Sequence, residues 1–138
     1  MTAKELLQSQ MNDVGGQLQR AVEGVTSEQA SIKMHPEAMS VTEQLAHLSE
    51  VYQAVLTILA GGKHEWGSYV PPSTEIGALN ESCFSLRKQA VEAVLAKEEN
   101  LQTGSDFIVG HDNYHVGQLV TTRLGFDPAW NSYAIYGE

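Results

Sequence analysis

Three histidines of this sequence are candidate metal ligands. His111 and His115 are four positions apart, so on a helix their rings lie one turn apart on the same side and can hold one ion. His47 lies in an earlier helical pattern, at the edge of its apolar face, from which it can face the other two across the core. Three neutral imidazole nitrogens suit divalent zinc, nickel, cobalt or iron and leave a position for water or substrate. The spacing therefore predicts an open metal site on these three residues.

The same spacing also fits a simpler interpretation. His111 and His115 can be partly exposed or hydrogen-bonded core residues, with His47 unrelated to them. Two adjacent buried imidazoles nevertheless need polar partners or an ion, because burying a polar group without a partner is costly. Gln118, one turn beyond His115, is a candidate to hold a bound water or a ligand nitrogen, and helix packing is its alternative role. Glu50, one turn after His47, is a candidate to orient that ring, and a solvated surface position is its alternative.

Other polar residues receive weaker expectations. Asp112 and Tyr114 are predicted to point away from the inner face, so neither is a candidate general base. Arg123 either meets an anionic group of a substrate or is solvated, and Cys83 lies on an apolar stripe where packing is its expected role. Three residues of one long link either cover a pocket or pack on the end of the helices: His64, Trp66 and Tyr69.

Four amphipathic helices are predicted to position these residues. In the first, apolar residues recur at steps of three and four, at Leu7, Met11, Val14, Leu18 and Val22. The pairs Thr2/Glu5 and Ser40/Glu43 have capping-box spacing and predict that the first helix begins almost at the N-terminus and the second at Val41. The stretch from Thr26 to Glu37 is interpreted as a connection.

The second helix is predicted to end near Ala60, before two glycines. The third is predicted to be capped by Ser73 or Thr74 and to reach about Lys97. The fourth is predicted from about Phe107 to Leu124, with its cap among Gly104, Ser105 and Asp106 and an irregular aromatic tail after it.

These elements predict an all-α fold, a four-helix bundle formed as one domain over residues 1–138. The link between helices two and three, from Gly61 to Pro72, is long enough to permit a crossover to a parallel helix. Spacing alone does not choose between a crossover and an antiparallel return.

Composition restricts the class of protein. The chain has 138 residues, of which 42% are apolar, and its net charge is −9, so one compact core is expected and nucleic acid is not an expected partner. The longest apolar run is too short for a membrane span, and no secretory signal is recognisable. A single cysteine fits a reducing cytoplasm, where we expect the protein.

The motif HDNYH differs from the helix of zinc peptidases. That mechanism needs a glutamate directly after the first histidine, and Asp112 is one methylene shorter. No plausible third ligand follows the motif, so a peptidase is not expected. The stronger rival to an enzyme is a non-catalytic bundle, a metal-binding or stress-response interaction module.

Two segments resemble the signature helices of the DinB/YfiT-like metalloenzymes, namely SVTEQLAHLSEVYQAV and FIVGHDNYHVGQLVTTRLGF. The likeness is specific at His47 and at His111 and His115 followed by Gly117 and Gln118; over the rest of the chain it is a likeness of helix order and length. It extends to the loop with Pro36 and to the tail WNSYAIYG.

The resemblance implies an up-down-down-up order of helices, one divalent ion (Zn, Ni or Fe) on the three histidines, and a homodimer. It also implies a small-molecule substrate. An ion on neutral imidazoles supports two reactions, hydrolysis of a small substrate and transfer of a low-molecular-weight thiol to an electrophile. The sequence contains no dedicated acid or base that decides between them.

Overall fold

Two of the long helices begin at the capping boxes that the sequence predicts. In the computed structural model, which describes residues 1–137, α1 spans Ala3–Val22, α2 spans Ser27–Ala30 and α3 spans Val41–Leu59. Thr2 and Ser40 each form the complete capping box that starts α1 and α3. A third box, between Thr26 and Gln29, starts α2. The stretch interpreted as a connection therefore contains one helical turn.

Further helices follow α3 along the described chain. Helix α4 spans Ile76–Leu95, α5 spans Leu101–Gly104 and α6 spans His111–Phe126, with a π-helical stretch at Ser105–Gly110 and 3₁₀ turns at Glu98–Asn100 and Ser132–Tyr136. No strand occurs among residues 1–137, which confirms the all-α prediction. None of the helices within these residues has both the length and the apolar character needed to cross a bilayer.

The predicted start of the last helix is wrong. The backbone is helical without interruption from Leu101 to Phe126, so Gly104 lies inside a helix instead of ending a link. Gly104 is buried, and a Cβ added there would collide with the side chain of Val94. The glycine therefore permits close packing on α4, and its sequence signature is the same as that of a turn.

The predicted cap of α4 is also wrong. The N-cap residue is Glu75, which makes no side-chain capping bond, while the Ser73 hydroxyl accepts from the backbone amide of Glu75. The amide of Ile76 instead donates to the hydroxyl of Ser27, 3.1 Å away in α2. A distant part of the chain thus supplies the capping oxygen that the local sequence was expected to supply. At its other end the helix stops at Leu95, two residues before the predicted Lys97.

The apolar stripes of the four long helices meet in one core. All five stripe residues of α1 are at most 5% exposed, and they pack with Leu45, Leu48, Tyr52 and Val55 of α3. Helix α3 packs chiefly on α4 and α1 chiefly on α6, with a smaller contact between α3 and α6. Full burial of each large apolar side chain contributes about 1.5–3 kcal/mol relative to exposure. The up-down-down-up order of the helices stays a prediction.

The aromatic tail docks on α1. The turn Ser132–Tyr136 buries Ile135, whose carbonyl oxygen accepts a 2.6 Å hydrogen bond from the guanidinium of Arg20. The tail is thus a short 3₁₀ turn with one apolar anchor and one charge-assisted bond.

Candidate metal centre

The contact between α3 and α6 brings the three predicted histidines together. One ring nitrogen from each of His47, His111 and His115 lies within 4.8 Å of the corresponding nitrogens of the other two. The Nε2 atoms of His47 and His111 are 3.2 Å apart, and the ring centroids are separated by 4.7 to 5.2 Å. The predicted convergence of three imidazoles from two separate helices is confirmed.

The three rings differ in exposure. His115 is buried, at 2% exposed, whereas His47 and His111 are partly exposed. The cluster therefore lies at the edge of the core, with two of its rings partly open to solvent. This is the placement that an ion needs if a small molecule is also to reach it.

Burial keeps two of these rings neutral at pH 7. Desolvation, with smaller contributions from the neighbouring His111 and His47, lowers the pKa of His115 to about 4. Desolvation also lowers the pKa of His111, with a smaller effect from His47. Neutral imidazoles present free lone pairs, so a cation can bind without first displacing protons from these two rings.

Gln44 orients the most deeply buried ring of the cluster. Its side chain is fully buried in α3; its Oε1 atom lies 3.3 Å from Nδ1 of His115, and its Nε2 donates to the hydroxyl of Thr122 at 3.1 Å. Because the amide oxygen can only accept, it selects the tautomer with the proton on Nδ1 and leaves Nε2 of His115 available as a ligand. Gln44 was not predicted as part of the site, although an amide on the apolar face of α3, one turn before His47, was a usable signal.

One ring nitrogen of the cluster lacks a partner. Nδ1 of His111 is buried and has no hydrogen-bond partner among the described residues. A buried polar atom without a hydrogen-bond partner lowers the stability of the folded protein. Together with the neutral rings, this shows a donor set chemically suited to a divalent cation.

Asp112 is buried, and the prediction that it points away from the interior is wrong. Its carboxylate is fully enclosed, accepting from the hydroxyl of Tyr52 at 2.6 Å and from Nε of Arg87 at 2.9 Å. Arg87 also donates to the carbonyl oxygen of Met11 at 2.6 Å. Burial raises the pKa of Tyr52 well above its ordinary value, so its hydroxyl stays a donor. This network ties α6, at the residue next to His111, to α3, α4 and α1.

Glu50 binds the long link that follows α3. It is 8% exposed, and its carboxylate accepts from the backbone amides of Gly67 at 2.7 Å and Tyr69 at 3.1 Å. The amide of Gly67 is the main cause of the lowered pKa of Glu50, which keeps the carboxylate charged. His64 approaches it, with Nε2 3.8 Å from the carboxylate. The solvated interpretation of Glu50 is wrong, and its hydrogen bonds fasten the link instead of reaching His47.

The remaining predicted residues have the following positions. Gln118 donates to the hydroxyl of Tyr114 at 2.6 Å, and the Tyr114 ring lies 5.1 Å from that of His115.

Arg123 is 7% exposed, donates to the carbonyl oxygens of Ala21 and Glu23, and stacks on Trp130. Both interpretations of Arg123, as a solvated residue or as an anion contact, are therefore wrong. Cys83 is buried, and desolvation raises the pKa of its thiol to about 12, in line with packing.

Comparison of the chain with protein-family models, with curated proteins and with solved structures returns no match. The fold and the site are therefore described from the structure itself: an all-helical protein that carries a partly open cluster of three histidines.

Proposed function

We propose that this protein is a DinB/YfiT-like metalloenzyme that holds one divalent cation on His47, His111 and His115 and acts on a small substrate. The observation that carries the proposal is the approach of three imidazole nitrogens to within 4.8 Å of one another. Neutral nitrogens and an amide that orients one ring make the cluster suitable for zinc, nickel or iron.

The chain's own residues provide position and orientation. His115 is oriented by Gln44, while the buried network of Asp112 fixes the part of α6 that carries His111. When bound, a divalent cation acts as a Lewis acid, which favours the anionic form of water or of a thiol at neutral pH. The proposed reaction is hydrolysis, in which a small ester or amide and one water give a carboxylic acid and an alcohol or amine. Transfer of a low-molecular-weight thiol to an electrophile is the second reaction that the same chemistry supports.

Metal content tests the first half of the proposal. Protein purified without an affinity tag should contain about one divalent ion per chain by elemental analysis. His47→Ala should lose the ion, whereas His35→Ala, which removes an exposed histidine outside the cluster, should retain it. Equal metal content in the two variants would contradict the assignment.

Turnover tests the second half. Metal-loaded protein should hydrolyse members of a panel of small esters and amides, or join a thiol to an electrophile, and a chelator should abolish the rate. Bound metal without any metal-dependent turnover across the panel would favour a non-catalytic metal-binding module.

The homodimer is a separate part of the proposal, and it is based on the resemblance. Light scattering on the eluting protein should give about twice the mass of the 15.1 kDa chain. A monomer mass would reject the dimer without affecting the metal site.

A further inference from the structure

A recess of about 480 Å³ lies on α6 beside the histidine cluster. Its walls come from α6 and from the segment between α2 and α3, and they include Met34, Ala38, Tyr114, Gly117, Gln118 and Thr121. This volume is within the range of pockets that accept small molecules, about 300–1,000 Å³. Neither the expected metal site nor the proposed reaction assigns this recess a role.

Two residues that line the recess, Tyr114 and Thr122, lie close to the candidate metal centre. The ring of Tyr114 lies 5.1 Å from that of His115 and 6.5 Å from that of His111, measured between centroids. Thr122, also on the wall, accepts the hydrogen bond from Gln44, whose oxygen lies against His115. The recess therefore adjoins residues that surround the cluster, although none of the three histidines lines it.

The recess offers no charge to a ligand. None of its lining residues is ionisable at pH 7, and the nearby Lys33 is paired with Glu43 at 3.4 Å. Arg123 is bound to backbone carbonyl oxygens, and the chain as a whole carries a net charge of −9. Apart from an ion on the histidine cluster, an anionic group would find no counter-ion in the lining, and the overall charge would repel it.

The lining does offer apolar surface and a tyrosine hydroxyl that can donate. Met34 and Ala38 supply apolar contact. The hydroxyl of Tyr114 accepts from Gln118 at 2.6 Å, so its own proton remains available to donate. This combination suits an aliphatic chain with a carbonyl oxygen at one end.

We propose that the recess binds the uncharged aliphatic acyl group of a small ester or amide, with Tyr114 donating to the carbonyl oxygen. The inference deepens the proposed function and depends on it for its role in turnover. It names neutral acyl compounds as the substrate class, in place of thiols that carry carboxylates.

Gly117→Leu is the variant that fills the recess. A Cβ added at Gly117 meets no atom within 4 Å, so the leucine enters open space and replaces a poor helix former. Gly77→Leu is the matched control, because it makes the same change in α4, on the groove between α1 and α4, where the added Cβ meets only the flexible Glu75 carboxylate at 3.3 Å.

Calorimetric titration of metal-free protein, in which no ion can bind a carboxylate, compares hexanamide with adipic acid monoamide, which carries a carboxylate at the far end of the chain. Hexanamide should bind the wild-type protein about tenfold more tightly than the charged probe. Gly117→Leu should lose about tenfold in hexanamide affinity, while Gly77→Leu should match the wild type. Equal binding of the two probes, or unchanged binding by Gly117→Leu, would overturn the inference.

The titration separates this inference from the proposed function. Metal-dependent turnover without the charge discrimination, or without the effect of Gly117→Leu, rejects the recess and retains the enzyme. Charge discrimination with the loss in Gly117→Leu, but no turnover, supports the recess as an acyl-binding site and rejects the proposed catalysis.

Discussion

At the scale of single residues, the cluster depends on a side chain that binds no ion itself. Gln44 accepts from Nδ1 of His115 and is held in turn by Thr122. The amide thereby fixes both the tautomer and the rotation of the ring.

Gln44→Leu should therefore weaken zinc binding about 10- to 100-fold, which is typical for loss of a residue that orients a metal ligand. Gln44→Glu keeps an acceptor at the same place and should retain most of the affinity. Competition with a chromophoric chelator measures both constants. Gln53→Leu, the same change at an exposed position of α3, is the control, and an equal loss there would show a general effect on the helix.

The lowered pKa of His115 links its burial to stability. In the metal-free protein the folded state holds this ring with a pKa of about 4, against an ordinary value of 6.5, because burial disfavours the charged form. The unfolded chain therefore takes up the proton first as the pH falls. Stability is complete above pH 6.5 and declines between pH 6.5 and about 4.

Between pH 7 and pH 5 the free energy of unfolding should consequently fall by about 2 kcal/mol through this residue. Urea denaturation of the metal-free protein at the two pH values measures the change. His115→Gln removes the titrating group and should lose less stability on acidification. If the variant and the wild type lose equal amounts, the ring is not buried in its neutral form.

At the scale of elements, the side chain of Arg87 in α4 holds α4 to α1 and passes close to the α1 backbone at Gly15. Arg87 reaches from α4 to the carbonyl oxygen of Met11 and passes directly over Gly15. An added Cβ at Gly15 would lie 2.8 Å from Cζ of Arg87, closer than packed atoms allow. Because Arg87 also binds Asp112, it cannot move aside without breaking a buried ion pair.

Gly15→Ala should therefore destabilise the fold by about 1–3 kcal/mol, the usual cost of overpacking. The adjacent Gly16→Ala is a matched control, since its added Cβ meets only the end of the Arg20 side chain, at 3.2 Å. It should stay within about 1 kcal/mol of the wild type, because the gain in helix propensity offsets a small displacement. Thermal and urea unfolding of the two variants provide the comparison, and similar losses would reject the contact with Arg87.

At the scale of the whole molecule, an ion on the cluster would join α3 to α6. These two helices make a smaller contact than the pairs α3 with α4 and α1 with α6. A ligand that binds only the folded state stabilises it in proportion to the logarithm of its concentration over Kd.

Zinc at 100 times its Kd should add about 2.7 kcal/mol and raise Tm by roughly 5–10 °C. Calorimetry with and without the ion measures this shift. His47→Ala should show little of it, and a similar shift in that variant would locate the zinc elsewhere on the protein.

Features that arise between near neighbours along the chain were predictable from the sequence. The capping boxes at Thr2 and Ser40 and the apolar stripe of α1 are formed by neighbours along one helix, so their spacing was sufficient to predict them. The spacing of His111 and His115 likewise gave one half of the histidine cluster.

Features whose partners are distant in sequence depend on how the helices pack together. Gln44 and Thr122 are 78 residues apart, and Tyr52 and Asp112 are 60 residues apart, so no local pattern showed which partners these polar groups would have. For the same reason Gly104 had the signature of a turn, because the side chain of Val94 that requires a glycine lies in another helix. A helical period predicts which side of a helix is apolar, but whether a polar residue at its edge is solvated or enclosed depends on which helix packs against it.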